Sequence, residues 1–264
     1  MIVFIACESS GVVREAYRRR GHVAYSCDLL PADDVTAFHL QMDWREGLAE
    51  VERLHGHVDV IIGHPPCTAL AVSGNRWYAG TQEREDAIAF VAEMAETFDA
   101  HARYGWAIEN PVGVLSTRWR KATQYVQPWQ FGHGETKRTG FWLGGALQPL
   151  TPTNVVDGRE QRVWRLGPSA DRWKERSKTF EGIAEAMASQ WTNGRLGYTD
   201  PVCWSNCWDA QVSFIGEDGE EHVVDIRHEH GIDGVVADAG LTFLEEMRAL
   251  DVFDRYHEGC GHTD

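Results

Sequence analysis

Residues 58–67 read VDVIIGHPPC, and this stretch decides the fold of the chain. Its first six residues form a short, continuous apolar run, which is typical of a buried strand. The two prolines that follow remove backbone freedom, so the segment after the strand is held rigidly. Cys67 then lies at the carboxyl end of the strand, where ligands bind in open α/β sheets.

Working outward, the first 200 residues alternate similar apolar runs with helical patterns. Strands are predicted at 1–6, 22–27, 40–42, 58–63, 106–108 and 140–143. Helices are predicted at 12–21, 44–54, 81–103 and 180–191. Strands that alternate with helices predict an α/β domain with a mainly parallel sheet.

The composition excludes several classes of protein. The chain has 264 residues, of which 43% are hydrophobic and 25% are charged, as in a soluble globular protein. No stretch approaches the roughly 20 apolar residues of a membrane span, and no basic segment precedes the first apolar run as in a secretory signal. The six cysteines do not form the dense framework of a small secreted domain, so we expect a cytoplasmic protein.

The charge of the chain is uneven. Residues 201–264 hold 15 Asp and Glu against 3 Lys and Arg, a net charge of −12, whereas residues 113–178 hold 12 basic and 5 acidic residues, a net charge of +7. Glycines and a proline cluster where the charge changes. We therefore predict a main domain at 1–198 and an acidic C-terminal module at 199–264. The basic segment is either a solvated surface or a face that contacts phosphates.

Two features predict a nucleotide-like ligand at the edge of the sheet. The turn Ala6-Cys7-Glu8-Ser9-Ser10-Gly11 follows the first strand, and its small residues allow a ligand to approach the backbone at a helix N-terminus. Asp28 ends the second strand, where a carboxylate can accept both ribose hydroxyls of an adenosine-type cofactor. Each feature alone is equally typical of an ordinary strand-to-helix turn or helix cap.

Cys67 and Glu109 are the candidate reacting groups. A thiol at the end of a strand acts as a nucleophile if its pKa is lowered, although an isolated cysteine is more often simply buried. Glu109, in Glu109-Asn110-Pro111, follows the next strand and is expected in the same crevice. A glutamic acid beside a nucleophile suggests a proton donor, which requires burial and a raised pKa.

In this combination the chain resembles the cytosine-C5 DNA methyltransferase family. The matching segments are ACESSG after the first strand, CD after the second, HPPC, ENP and ETKRT (135–139), followed by GIAEAMASQ (182–190) as the last helix. The resemblance covers about residues 1–192 and is greatest to the compact variants often found in phage genomes. It implies a class I S-adenosylmethionine-dependent, Rossmann-like fold with helices on both faces of the sheet, working in the host cytoplasm if the gene belongs to a phage.

The resemblance also implies the chemistry and the residues that perform it. Cys67 attacks C6 of a cytosine turned out of the DNA duplex, and protonated Glu109 holds N3. Arg138 holds O2 of the base, with Lys137 as the alternative. C5 takes the methyl group of S-adenosylmethionine, a base removes the C5 proton, and Cys67 leaves. The residues expected around the cofactor are Cys7, Glu8, Ser9, Ser10, Gly11, Asp28 at the ribose, Asp43 near the adenine, and Pro65.

DNA contacts are expected from the basic segment, with residues 144–178 as a short target-recognition region. Its tryptophans can stack on bases, although most of them fit a protein core better. They are Trp119, Trp129, Trp142, Trp164 and Trp173.

Two departures from the family keep alternatives open. The first motif lacks the family's Phe-x-Gly-x-Gly, and Pro111 stands where the family has valine. One alternative is the same thiol chemistry on another pyrimidine, in RNA or a nucleotide, or with a modified methyl donor. The other is a non-catalytic nucleic-acid-binding or regulatory protein. Cys67 in place of an aromatic residue argues against methylation of an exocyclic nitrogen.

The C-terminal module holds a weak metal motif. Cys203 and Cys207 precede Cys260 and His262, with His257 nearby, but the long gap favours separate thiols over a zinc site, so we predict no metal. Three interpretations of its acidic surface stay open: binding of a basic protein partner, solubility, and mimicry of DNA.

Overall fold

The structure is a computed structural model that describes residues 1–165, 167, 172–192, 209–215 and 221–227. The chain divides into two compact units, Met1–Leu196 and Gly197–Asp264. Each unit is described by itself. Within the described residues, no helix is both long and apolar enough to cross a membrane.

The first unit is built on a mixed sheet of seven strands. They are β1 (Ile2–Ala6), β2 (Val23–Asp28), β3 (His39–Gln41), β4 (Val58–Gly63), β5 (Ala102–Pro111), β6 (Gln124–Val126) and β7 (Thr139–Gly145). Their order across the sheet is β3-β2-β1-β4-β5-β7-β6. The first five strands pair in parallel, and β7 runs antiparallel to both β5 and β6. The predicted α/β fold with a mainly parallel sheet is therefore confirmed.

Eight helices belong to the described part of this unit. They are α1 (Val12–Arg18), α2 (Trp44–His55), α3 (Asn75–Tyr78), α4 (Gln82–His101), α5 (Leu115–Arg118), α6 (Arg162–Arg165), α7 (Arg172–Ser177) and α8 (Glu181–Gln190). The four helices predicted from the sequence correspond to α1, α2, α4 and α8. Short 3-10 turns at Val72–Gly74 and Pro128–Gln130 complete the connections.

Helices cover both faces of the sheet because the central strands carry apolar side chains on both faces. On one face, α1 and α8 pack on β1, and the Tyr17 hydroxyl donates to the Met187 carbonyl across the two helices at 3.2 Å. On the other face, α2 and α4 meet through the edge-on rings of Trp44 and Phe98. Gly63 ends β4 beneath α4, where a Cβ atom would stand 2.8 Å from the Phe98 ring.

The structure differs from the sequence prediction at the fifth strand. The strand predicted at 106–108 extends from Ala102 to Pro111, so Glu109 and Asn110 lie inside it. The cause is β7, which pairs with these residues and supplies backbone partners that no local pattern reveals. The same strand supports β6, which was not predicted.

The second unit contains an antiparallel pair, β8 (Asp209–Ile215) and β9 (Glu221–Arg227), with Asp209 opposite Arg227. Two apolar patterns of the acidic module, VSFI and HVVDI, fall on these strands. The third pattern, at 241–253, lies outside the described residues. So do Cys203, Cys207, Cys260, His262 and His257.

Candidate active site

A cavity of about 1230 Å³ opens at the carboxyl ends of the parallel strands. It lies where the strand order reverses, since the chain builds outward from β1 to β3 and then returns to β4 on the other side of β1. Most of the predicted site residues line it. These are Cys7, Glu8, Ser9, Ser10, Asp28, Pro65, Cys67, Glu109 and Arg138. Gly11 and Asp43 are not among its lining residues.

Cys67 stands just beyond β4 in a rigid turn. The backbone N–H groups of Leu70 and Ala71 both donate to its carbonyl, at 3.0 and 2.9 Å. The buried Asn110 side chain donates to the Pro65 carbonyl at 3.0 Å and fixes the proline segment against β5. Burial and the negative charge of Glu109 raise the pKa of Cys67, so the group at rest is a thiol. Attack by this sulfur therefore needs its proton to be removed first.

Glu109 forms a buried pair with His64, which directly follows β4. The His64 Nδ1–H group donates to Oε2 of Glu109 at 3.3 Å, and the side chains are only 10% and 12% exposed. Burial alone would raise the pKa of Glu109, but the hydrogen bond from His64 and the charge of Lys137 outweigh it and lower the pKa. The sequence analysis expected a protonated acid with a raised pKa; the structure instead holds an ionised carboxylate.

Lys137 is the lysine whose charge is coupled to both reacting groups. It lowers the pKa of Cys67 and of Glu109, and Arg176 also lowers the pKa of Cys67. Arg138 is exposed at the rim of the cavity, where its guanidinium lies 4.4 Å from the centre of the Tyr125 ring. The geometry thus favours the alternative that the sequence analysis kept open at this position.

At the other end of the cavity, Glu8 occupies the N-terminus of α1. Its buried carboxylate accepts hydrogen bonds from the backbone N–H of Val13 at 2.7 Å and of Arg14 at 3.2 Å. Gly11 serves the same turn with φ +69°, and an added Cβ would collide with the Arg14 guanidinium at 2.4 Å. The expected approach of a ligand to this helix N-terminus is therefore corrected: a side chain of the protein already satisfies these donors.

The acids around the second strand have different roles. Asp28 lines the cavity and accepts a hydrogen bond from the Leu30 N–H at 2.9 Å through one oxygen. Asp43 caps α2 through the Arg45 N–H and pairs with the Arg45 guanidinium, and it is not among the residues that line the cavity. Cys7 lies in the left-handed region at φ 59°, a strained conformation for this residue, next to the cavity.

The far rim of the cavity is basic and aromatic. Lys174 and Lys178 both pair with Asp33, which connects the loop after β2 to the segment containing α7. Trp77 is 70% exposed, and the Arg76 guanidinium lies 5.1 Å from its ring centre. Of the tryptophans proposed for stacking, Trp142 is buried in the core, Trp119 and Trp129 are partly buried, and the side chains of Trp164 and Trp173 lie outside the described residues.

Sequence reasoning missed three residues of this site. His64 was part of the quoted HPPC segment but received no role, although its position next to the strand end placed it in the crevice. Asp33 and Trp77 carry no local signal, because only the tertiary fold brings them to the cavity. Within the described residues, no group of three or more His, Cys, Asp and Glu side chains is arranged to hold a metal ion.

Comparison with protein-family models and with curated proteins finds no match for this chain.

Proposed function

We propose that this chain is a DNA (cytosine-5-)-methyltransferase that uses S-adenosylmethionine and a covalent bond between Cys67 and C6 of the target base. The observation that carries the proposal is the convergence of Cys67 and Glu109 on one cavity, which also contains the nucleotide-type acid Asp28. The reaction needs three groups around one cavity: a nucleophile, a carboxyl group that can donate a proton, and a carboxylate that binds the ribose of the cofactor.

The cofactor end of the cavity fits a nucleoside that carries no phosphate. Dinucleotides place their pyrophosphate on the first helix N-terminus, but here the Glu8 carboxylate fills that position and would repel it. S-adenosylmethionine has ribose hydroxyls that can donate hydrogen bonds to the Asp28 carboxylate, and it has no phosphate group. When bound, it supplies an electrophilic methyl group.

The size of the cavity supports two ligands. Pockets for a single drug-sized ligand measure about 300–1,000 Å³, and this cavity, at about 1230 Å³, exceeds that range. A pyrimidine ring and a cofactor therefore fit together, with the ring on the side of Cys67 and Glu109 and the cofactor on the side of Asp28.

The protonation of the site suits an enzyme at rest. A Cys67 thiol and a Glu109 carboxylate hold one proton between them. Attack on C6 needs the same proton on Glu109, where it can be donated to N3, and a thiolate on Cys67. The reaction therefore needs one proton moved and none gained. The positive charge of Lys137 lowers the pKa of Cys67 and thus favours the thiolate, and we assign the contact to O2 of the ring to Lys137.

Two further features support a nucleic acid as the substrate. The rim carries several cations, which suit contacts to a phosphate backbone, and the exposed Trp77 ring offers a stacking surface. The strand order, in which the reversed strand β7 lies between β5 and β6, also resembles the arrangement of class I methyltransferases. This likeness is one of fold and carries less weight than the site itself.

The test is a covalent trap on DNA that contains 5-fluorocytosine. Once C5 is methylated it bears fluorine in place of the proton whose removal releases Cys67, so the adduct persists. We expect a band of protein bound to DNA that survives denaturation, requires S-adenosylmethionine and disappears in Cys67→Ala. Cys27→Ala is the matched control, because Cys27 is a buried thiol outside the cavity lining. Absence of an adduct in the wild-type protein, or an adduct in Cys67→Ala, would refute the proposal.

A further inference from the structure

The loop that follows Cys67 forms one wall of the cavity. Most of residues 68–78, which we call the Cys67 loop, line this space. The loop contains a 3-10 turn and the short helix α3, and it adds no strand to the sheet. Its position, and with it the position of Cys67, therefore depends on contacts with the rest of the domain.

One side of the Cys67 loop is attached to the chain that leaves β5. Ala71 and Gly113 form an antiparallel bridge, and the Val114 N–H group donates to the Leu70 carbonyl at 2.9 Å. Because β5 carries Glu109, this bridge ties the loop to the strand of the second reacting group.

The other side of the loop is held by Arg84, in the first turn of α4. Arg84 is only 4% exposed. Its Nε–H group donates to the Ala69 carbonyl at 2.8 Å, and its Nη1 donates to Oδ1 of Asn75 at 2.8 Å. Ala69 lies two residues after Cys67, and Asn75 begins α3. A single guanidinium therefore holds both halves of the loop.

The contacts of Arg84 suit positioning better than stability. Both acceptors are neutral oxygens, and the remaining nitrogen, Nη2, is buried without a hydrogen-bond partner among the residues that the structure describes. Burial of a charge costs free energy that neutral acceptors offset only in part. The planar fork of arginine donates in two fixed directions, which the single ammonium of lysine does not match.

We propose that Arg84 is a positioning residue for the nucleophile: its guanidinium holds the Cys67 loop so that Cys67 meets C6 of the target base. The inference rests on the proposed function and adds to it a residue that does not line the cavity. Reacting atoms must be held close to their attack geometry, and a displacement of about 1 Å can cost about 100-fold in rate. Release of the loop is therefore expected to slow the attack by Cys67 without weakening the cofactor end of the cavity.

The test measures the rate of adduct formation on a random-sequence duplex that contains 5-fluorocytosine, at saturating DNA and varied S-adenosylmethionine. The variants are Arg84→Met, Arg84→Lys, Asn75→Ala and Asn75→Asp. Asn75 is exposed, so its variants keep the test decisive even if Arg84→Met does not fold. Arg53→Met is the matched control, because Arg53 pairs with Glu50 in the last turn of α2, which leads to the start of β4 and away from the cavity.

We expect Arg84→Met to lower the saturating rate about tenfold or more, with Arg84→Lys in between. Asn75→Ala is expected to lower it about threefold or more, whereas Asn75→Asp stays within about twofold of the wild-type protein, because a carboxylate oxygen replaces the amide oxygen as acceptor. The concentration of S-adenosylmethionine that gives half the maximal rate is expected to stay unchanged in all of them. Loss of a merely structural contact would not separate the two quantities in this way.

The possible failures are distinguishable. If Arg84→Met and Asn75→Ala trap DNA at the wild-type rate, or Asn75→Asp is as slow as Asn75→Ala, the positioning role is overturned and the proposed function stands. A slower rate accompanied by an equally large rise in the S-adenosylmethionine requirement also overturns it. If the wild-type protein forms no adduct, the proposed function fails, and alkylation of Cys67 by iodoacetamide decides whether Arg84 holds the loop. Faster alkylation in Arg84→Met and Asn75→Ala than in the wild-type protein and Arg53→Met supports that hold, and equal rates overturn it.

Discussion

Replacing Glu8 tests whether its carboxylate occupies the N-terminus of α1 and so excludes a phosphate from the cofactor site. Glu8→Ala removes the acceptor of two buried helix N–H groups, those of Val13 and Arg14. Each buried donor left without a partner costs about 1–3 kcal/mol, so the variant is expected to lose about 2–6 kcal/mol of unfolding free energy. Glu8→Gln keeps an acceptor oxygen but loses the charge at the helix N-terminus, which contributes about 0.3–2 kcal/mol.

The assay is urea unfolding followed by tryptophan fluorescence, with stability ordered as wild type, Glu8→Gln, Glu8→Ala. The control is Glu50→Ala, which breaks a surface pair with Arg53 and is expected to cost less than about 1 kcal/mol. In Glu8→Gln, S-adenosylmethionine is still expected to raise the melting temperature, because a ligand that binds only the folded state stabilises it. If Glu8→Ala were as stable as the control, the capping role of Glu8 and the exclusion of phosphate would be refuted.

Further predictions concern the reacting groups and the rim. Glu109→Gln removes the negative charge that helps raise the pKa of Cys67. At a fixed pH near neutrality, alkylation of Cys67 by iodoacetamide is therefore expected to be about threefold faster or more. An unchanged rate would show that the charge of Glu109 does not act on the thiol. Lys137→Met is expected to slow 5-fluorocytosine adduct formation about tenfold or more, while S-adenosylmethionine still raises the melting temperature. Arg138→Met is expected to slow it less. A larger effect of Arg138→Met would assign the contact to O2 of the base to Arg138. Trp77→Ala is expected to weaken DNA binding about 5- to 100-fold in a filter or fluorescence assay without lowering the melting temperature, since the ring is exposed; equal binding would remove it from the interface.

The central strands of the sheet could be predicted from the sequence because they are continuous apolar runs bounded by turns. The run at 58–63 and the run at 1–6 each match their strand within one residue. The position of Cys67 followed directly, since prolines after a strand end leave the chain little choice. The register of the antiparallel pair could not be predicted, because β5 and β7 are far apart in sequence and no local pattern specifies that they pair.

The charge state of the site was also beyond sequence reasoning. Whether Glu109 is protonated depends on how burial compares with the hydrogen bond from His64 and the charge of Lys137, and all three are consequences of packing. Asp43 is a second case in which packing decides. The sequence analysis expected this acid near the adenine, and its role as the N-cap of α2 is visible only from the backbone of that helix.

The most direct measurement is mass spectrometry of DNA nucleosides from a methylation-free host that expresses the protein. The account predicts 5-methyl-2′-deoxycytidine in the DNA with the wild-type protein and none with Cys67→Ala. Unmodified DNA, methylation at the exocyclic nitrogen, or 5-methyl-2′-deoxycytidine that persists in Cys67→Ala would contradict it.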